Sequence, residues 1–134
     1  MLDHLGGPLG VGPYSDQATA VFLEWDRKMI ELAACDNVVT KLGGLAMEVN
    51  GFNWHRLPVP PTSDDLLRGC AHYYERTIEL FGVDRCLFES NFPVDKVSYS
   101  YNTLWNAFKK LTKDYSASEK TKLFHDNAQR IYRI

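Results

Sequence analysis

Apolar and polar positions along the chain fall into alternating short β-like runs and longer helical stretches. Leu2–Leu5 reads as a short strand, broken at once by Gly6, Gly7 and Pro8. After a Gly/Pro-rich loop that reaches Ser15, a helical period is predicted from Asp16 to Ala34. Its candidate buried positions are Ala20, Leu23, Met29, Leu32 and Ala33. Asn37–Leu42 is β-rich, is predicted as a second strand and stops at Gly43 and Gly44. The irregular stretch from Leu45 to Pro61 contains Phe52, Trp54, His55 and Arg56, and loops this long inside a compact domain are often functional.

Thr62, Ser63, Asp64 and Asp65 then offer short capping side chains and acids, as the positive end of a helix favours, and that helix is predicted to run to about Phe81 and stop at Gly82. Asp84–Glu89 is the third predicted strand, ended by Ser90, Asn91, Phe92 and Pro93. Two helices follow. Tyr101–Lys113 places Leu104, Trp105, Phe108 and Leu111 on one face, and Ser116 with Glu119 forms a capping-box pattern ahead of a helix that buries Leu123, Ala128 and Ile131.

The order strand, helix, strand, helix, strand, helix, helix implies an α/β fold with parallel strands joined by crossovers. Three strands are thin for a free-standing doubly wound domain, and neither a GxGxxG fingerprint nor a Walker loop is present. A complete flavodoxin-like domain is therefore the weaker expectation. The alternative is a piece of a (β/α)8 barrel, which in complete form needs about 250 residues.

Composition narrows the classes further. The 134 residues are 45% hydrophobic and 24% charged, with a net charge of −2, which suits an ordinary globular domain. Lys and Arg are scattered, so no nucleic-acid or membrane partner is expected. No run of about 18 apolar residues and no signal-peptide pattern occurs. Cys35, Cys70 and Cys86 are odd in number and form no CxxC pair, which argues against a disulfide framework or a zinc knuckle. All three are expected to be small buried hydrophobes in a cytoplasmic protein.

Several segments together resemble one family. Leu2–Pro8, Asn37–Gly44 and Phe81–Pro93 look like the last three barrel strands of the amidohydrolase-related hydrolases. Asn127–Arg133 is similar to their final helix. The resemblance implies a partial TIM barrel, with residues 1–134 as the C-terminal part of the barrel domain. It also implies a site at the C-terminal ends of the strands, where His4, Gly43, Gly44, Glu89 and Asn91 fall. In this family the histidine matching His4 helps hold a divalent metal, zinc being the plausible one, or polarises the substrate carbonyl; some relatives dispense with metal. The implied activity is hydrolysis of a C–N or lactone bond, or decarboxylation, of a small carbonyl or carboxylate substrate.

This sequence departs from the family in two ways. Asn91 stands where the family carries an aspartate general base, and an amide cannot take a proton at neutral pH. Glu89, two residues earlier and on the same strand face, could supply the carboxylate, with Asp95 a second candidate that otherwise reads as a solvated loop acid. Lys41 competes for Glu89 as a structural ion-pair partner. The second departure is the lack of a His-x-His pair: His4, His55, His72 and His125 are at least 17 positions apart. The family's full metal shell is therefore not expected from this chain alone.

His55 and Arg56 are candidate substrate contacts, Arg56 because its planar fork matches a carboxylate. His72 and His125 fall within helices and read as structural or exposed. The chain is expected to be a fragment or a truncated reading frame that lacks the N-terminal half of a barrel, or part of a homo-oligomer. The competing expectation is a catalytically inactive fragment or association module.

Overall fold

The computed structural model describes residues 1–134. Two strands, β1 (Thr40–Leu42) and β2 (Cys86–Phe88), run parallel, with Thr40 opposite Cys86 and Leu42 opposite Phe88. The predicted first strand contracts to a single parallel bridge between Leu2 and Thr40. The Leu2 N–H donates to the Val39 carbonyl (2.8 Å), and the Lys41 N–H donates to the Leu2 carbonyl (2.9 Å). Pairing ends there because His4 and Leu5 adopt φ of 54° and 52°, in the left-handed region that strands do not use. The spatial order is therefore the Leu2 segment, then β1, then β2.

Helix α1 (Ala18–Ala33) precedes β1, and α2 (Ser63–Phe81) connects β1 to β2. Helix α3 (Tyr101–Leu111) follows. The last predicted helix is divided into α4 (Ala117–Thr121), a π-helical turn (Lys122–Asp126) and α5 (Asn127–Tyr132). Both expected capping signals form. The Thr62 hydroxyl accepts from the Asp65 N–H while the Asp65 carboxylate accepts from the Thr62 N–H, and Ser116 and Glu119 repeat the exchange. Each box satisfies helix-end donors that would otherwise lack partners.

The sheet divides the molecule by residue parity. Leu42, Cys86 and Phe88 enter the main hydrophobic cluster with Leu66, Ile78, Leu104 and Phe108. Lys41 and Leu87 alternate with them and face the other way. Phe108 has no exposed surface and stacks on Phe88 at 4.2 Å between ring centroids. Tyr74 and Trp105 meet it edge-on at 5.4 and 5.6 Å.

Arg85 fastens the start of β2 to the end of α1. Its guanidinium donates to the carbonyl of Ala33 (2.9 Å), which lies in the last turn of α1 and lacks a helical partner, and to that of Cys35 (3.0 Å) just beyond the helix. The Asn127 amide performs the same service for α5, donating to the carbonyls of Val83 and Cys86.

Three expected buried residues are exposed: Ala20, Leu23 and Cys35. Leu23 is 62% exposed, because α1 buries Trp25 along with the expected Met29 and so presents a face rotated away from Leu23. Cys35 is exposed, since it lies beyond the end of α1. Cys70 and Cys86 are buried, and burial pushes both thiols up to about 12. No helix is long and apolar enough to cross a membrane.

Phe108→Ala should cost about 3–5 kcal/mol, because three aromatic neighbours would be left facing a void that the strands cannot close. Urea denaturation of the two proteins tests this; a loss under about 1 kcal/mol would mean that the α3–sheet contact is not the centre of the core.

Candidate functional site

Parallel pairing brings the C-terminal ends of the Leu2 segment, β1 and β2 to one edge of the sheet. His4 and Asn91 both lie at that edge, but β1 stands between the segments that carry them. What joins the two sides is the end of β1. A Cβ at Gly44 would collide with the ring of His4, and a Cβ at Gly43 would collide with the backbone oxygen and Cγ of Glu89. With no side chains there, His4 and Glu89 meet over β1, and His4 Nδ1 lies 2.6 Å from Glu89 Oε1. A carboxylate only accepts, so Nδ1–H is the donor, and in the neutral imidazole Nε2 keeps a free lone pair.

The second Glu89 oxygen, Oε2, pairs with the Lys41 ammonium at 3.2 Å, and Lys41 also reaches Asp3 at 3.0 Å. Burial opposes the charge on Lys41, but its hydrogen bonds to Asp3 and Glu89 outweigh that and hold it above the usual lysine range. The hydrogen bond from Lys41 in turn lowers Asp3. Asp3, Lys41, Glu89 and His4 therefore form one chain of alternating charge and hydrogen bonding. The Lys41–Glu89 pair and the His4–Glu89 contact coexist, one on each carboxylate oxygen.

Asn91 does not join Glu89. Strand alternation predicts a shared face, but β2 ends at Phe88 and Asn91 turns to φ 53°. Its Nδ2 donates to Asp95 Oδ1 at 2.8 Å, and the Tyr99 hydroxyl donates to Asp95 Oδ2 at 3.1 Å. Asp95 has no exposed surface, which overturns its reading as a solvated loop acid. The backbone coils here, with the Asp95 N–H on the Asn91 carbonyl and the Tyr99 N–H on the Asp95 carbonyl, and this winding draws the carboxylate inward. Burial raises Asp95 above its ordinary 3.8, against the opposing pull of Asn91, Tyr99, the Ala46 N–H and the more distant His4. Sequence reasoning missed this cluster. Its only signal was the repeated four-residue spacing of Asn91, Asp95 and Tyr99.

His55 and Arg56 lie together on a tight turn of the loop after β1. The Arg56 Nε–H donates to His55 Nε2 at 3.2 Å, and Glu48 approaches the same nitrogen at 3.8 Å. Trp54 stacks on Phe52 at 4.4 Å and lies against Gly69 of α2, which anchors the turn. Neither His55 nor Arg56 bonds to the His4–Glu89 pair. The loop after the Leu2 segment is tied to the same region, through Gly10 N–H to Val49 O and Asn50 Nδ2 to Pro8 O. His72 lies beside Phe22 and Tyr73, and His125 is exposed beside Asp126.

The donor set does not make a metal shell. No three His, Cys, Asp or Glu side chains converge. His4 has the carboxylate-oriented form common among metal-ligating histidines, as does the exposed His125 on Asp126, and one ligand does not hold an ion.

Two outcomes follow from this geometry. Gly44→Ala should displace the His4 ring and strain the backbone, whose φ is 75° there, costing upwards of about 1 kcal/mol. The His4 ring resonances and the denaturation midpoint should both move, and unchanged values would refute the contact. The second concerns pH. Asp95 binds its proton more tightly folded than unfolded, so its contribution to stability is greatest below the unfolded pKa and is lost as pH rises through the folded one. Urea titrations from about pH 4 to about pH 7 should show the wild type losing stability relative to Asp95→Asn as pH increases. A constant difference between the two would contradict the burial argument.

Known proteins match this arrangement over nearly all of the chain. The amidohydrolase family model matches residues 1–134. An uncharacterized protein of Sinorhizobium fredii is 44% identical over 113 residues, covering 84% of this chain and 34% of its own length. An L-fucono-1,5-lactonase of Burkholderia multivorans is 30% identical over 135 residues, covering all of this chain and 43% of the relative. Crystal structures of a Burkholderia multivorans amidohydrolase superpose with TM-scores of 0.82 with bound HEPES and 0.81 with bound zinc. Both are 28% identical and are matched over 99% of this chain and 44% and 43% of theirs. The chain thus spans less than half the length of each of these relatives. By the match over its whole length, it belongs to the amidohydrolase family.

Proposed function

We propose that this chain carries part of the active-site mouth of a (β/α)8 hydrolase that opens a lactone ring, with residues 1–134 as the C-terminal part of the barrel domain. The observation that carries the reading is the 2.6 Å hydrogen bond between His4 and Glu89 at the C-terminal edge of the parallel strands. The choice of a lactone over a C–N bond or a decarboxylation is supported by the relative that is an L-fucono-1,5-lactonase.

The roles follow from the donors and acceptors. Glu89, held by Lys41, fixes His4 with Nδ1–H inward, so Nε2 accepts a proton. Nε2 takes that proton from a water as its oxygen adds to the lactone carbonyl. The ring C–O bond then breaks, the imidazolium returns the proton to the departing alkoxide, and a hydroxy acid is released. This is the orienting carboxylate and imidazole base of a hydrolytic dyad. It needs no carboxylate at position 91, where Asn91 offers a hydrogen-bonding group. His55 and Arg56 contact the substrate from the loop, with Arg56 suited to the carboxylate that forms. Remaining substrate contacts, and any zinc ligands beyond His4, come from polypeptide outside residues 1–134 or from a second subunit. A catalytically silent association module is the competing reading, and the missing three-ligand cluster favours it.

Hydrolysis of L-fucono-1,5-lactone and related aldonolactones, followed by acid release with a pH indicator, tests the proposal. Residues 1–134 joined to the rest of the barrel should turn over at least one of them. His4→Gln should lower kcat/KM by about 100-fold or more without changing the melting temperature. No turnover, or an unaffected His4→Gln variant, would reject the enzyme reading and leave the association module.

A further inference from the structure

We infer that Asp95 is a positioning residue that locks the Asn91 amide with its carbonyl oxygen free, making position 91 a fixed hydrogen-bond acceptor for a hydroxylated substrate. The substrate part of this inference rests on the proposed lactone-opening site; the locking does not.

The orientation of an asparagine amide is set by its partners. Here the partner is Asp95 Oδ1, 2.8 Å from Nδ2. A carboxylate has no proton to give, so a flipped amide would set two acceptors against each other. The carboxylate itself is held in place. Its other oxygen takes the Tyr99 hydroxyl at 3.1 Å, the Ala46 N–H faces it, and the whole side chain is buried. Tyr99 is itself buried, and burial pushes its phenol well above the usual range, so it stays a donor. Asp95 cannot act as the base on water, because no part of it reaches solvent.

Asn91 Oδ1, by contrast, has no hydrogen-bond partner within the chain. It is not among the buried unpartnered oxygens either, so it remains reachable by a ligand. His4 Nε2 at the same edge of the sheet is committed to the attacking water, so Asn91 Oδ1 is the acceptor left for the substrate. A fixed acceptor selects a ligand that brings an O–H donor to it. The chemical class is a polyhydroxylated lactone rather than an unsubstituted one, since a site built to accept a hydroxyl discriminates strongly against an analogue that lacks it.

Two measurements on the full chain test this. The first is independent of turnover: hydrogen exchange of the Asn91 side-chain amide by NMR, with the exposed Asn102 and Asn106 as internal references. The Asn91 pair should exchange markedly more slowly than the references. Equal rates overturn the lock. The second is a reciprocal exchange. Asp95→Asn alone lets the amide at 91 turn over and should lower kcat/KM for an aldonolactone about tenfold, with a smaller effect on δ-valerolactone. Combining it with Asn91→Asp restores an oxygen acceptor at 91 facing an amide donor at 95, and should recover most of the loss with the pH–rate profile unchanged; a new acidic limb in that profile would mark Asp at 91 as a base and overturn the acceptor role. A double variant no better than Asp95→Asn overturns the positioning role, which a merely structural Asp95 would not distinguish. A protected Asn91 amide in a protein that opens no lactone keeps the lock and rejects the substrate class.

Discussion

The site depends on a gap. The middle strand of the sheet ends in two residues without side chains, and through that gap a histidine from one flank reaches a glutamate on the other. Any Cβ at Gly43 or Gly44 would fill the space that His4 and Glu89 share. The positive φ of Gly44 adds a second reason for glycine, because an L side chain would be strained there whatever the room. His4 and Leu5 carry the corresponding backbone tension on the other side, both held in the left-handed region. The first strand thus gives up ladder hydrogen bonds to aim one imidazole.

Charge on the same face is arranged to hold Glu89 rather than to strengthen the fold. A partly buried ion pair of the Lys41–Glu89 kind returns little net stability once desolvation is counted. Its value lies in direction. Lys41 takes one carboxylate oxygen and leaves the other for His4, while Asp3 shares the ammonium. On the opposite face the sheet is apolar and packs through Phe88 on Phe108, so the rigid side of the molecule supports the polar one. A second buried carboxylate, Asp95, faces donors only from Asn91, Tyr99 and Ala46, and is kept out of contact with solvent.

Much of the architecture was legible because it is local. Helical periodicity, the Thr62 and Ser116 caps, the Gly82 stop and the alternation of helices with β-rich runs each reflect interactions within a few residues. The family resemblance, carried by the segments around His4, Gly43–Gly44 and Phe81–Pro93, agrees with the match over residues 1–134. What could not be read was non-local. Nothing near Gly43 and Gly44 in sequence says which side chains will cross above them. The burial of Asp95 follows from a turn whose winding the Phe92–Pro93 segment does not advertise. The face that α1 buries is misplaced at Ala20 and Leu23 because Trp25, which sets the buried face with Met29, lies nearly opposite Leu23 on the helix and is not part of the predicted apolar stripe. The exposure of Cys35 follows from the helix ending two residues before it, at a boundary that periodicity does not fix.

The central claim is that Glu89 fixes the tautomer of His4 across the glycine gap. Long-range ¹H–¹⁵N correlation spectra of the imidazole near neutral pH read that directly. The account predicts a protonated Nδ1 and an unprotonated Nε2, with the pattern lost in Glu89→Gln. A protonated Nε2 in the unaltered protein, or a pattern indifferent to Glu89, would contradict it.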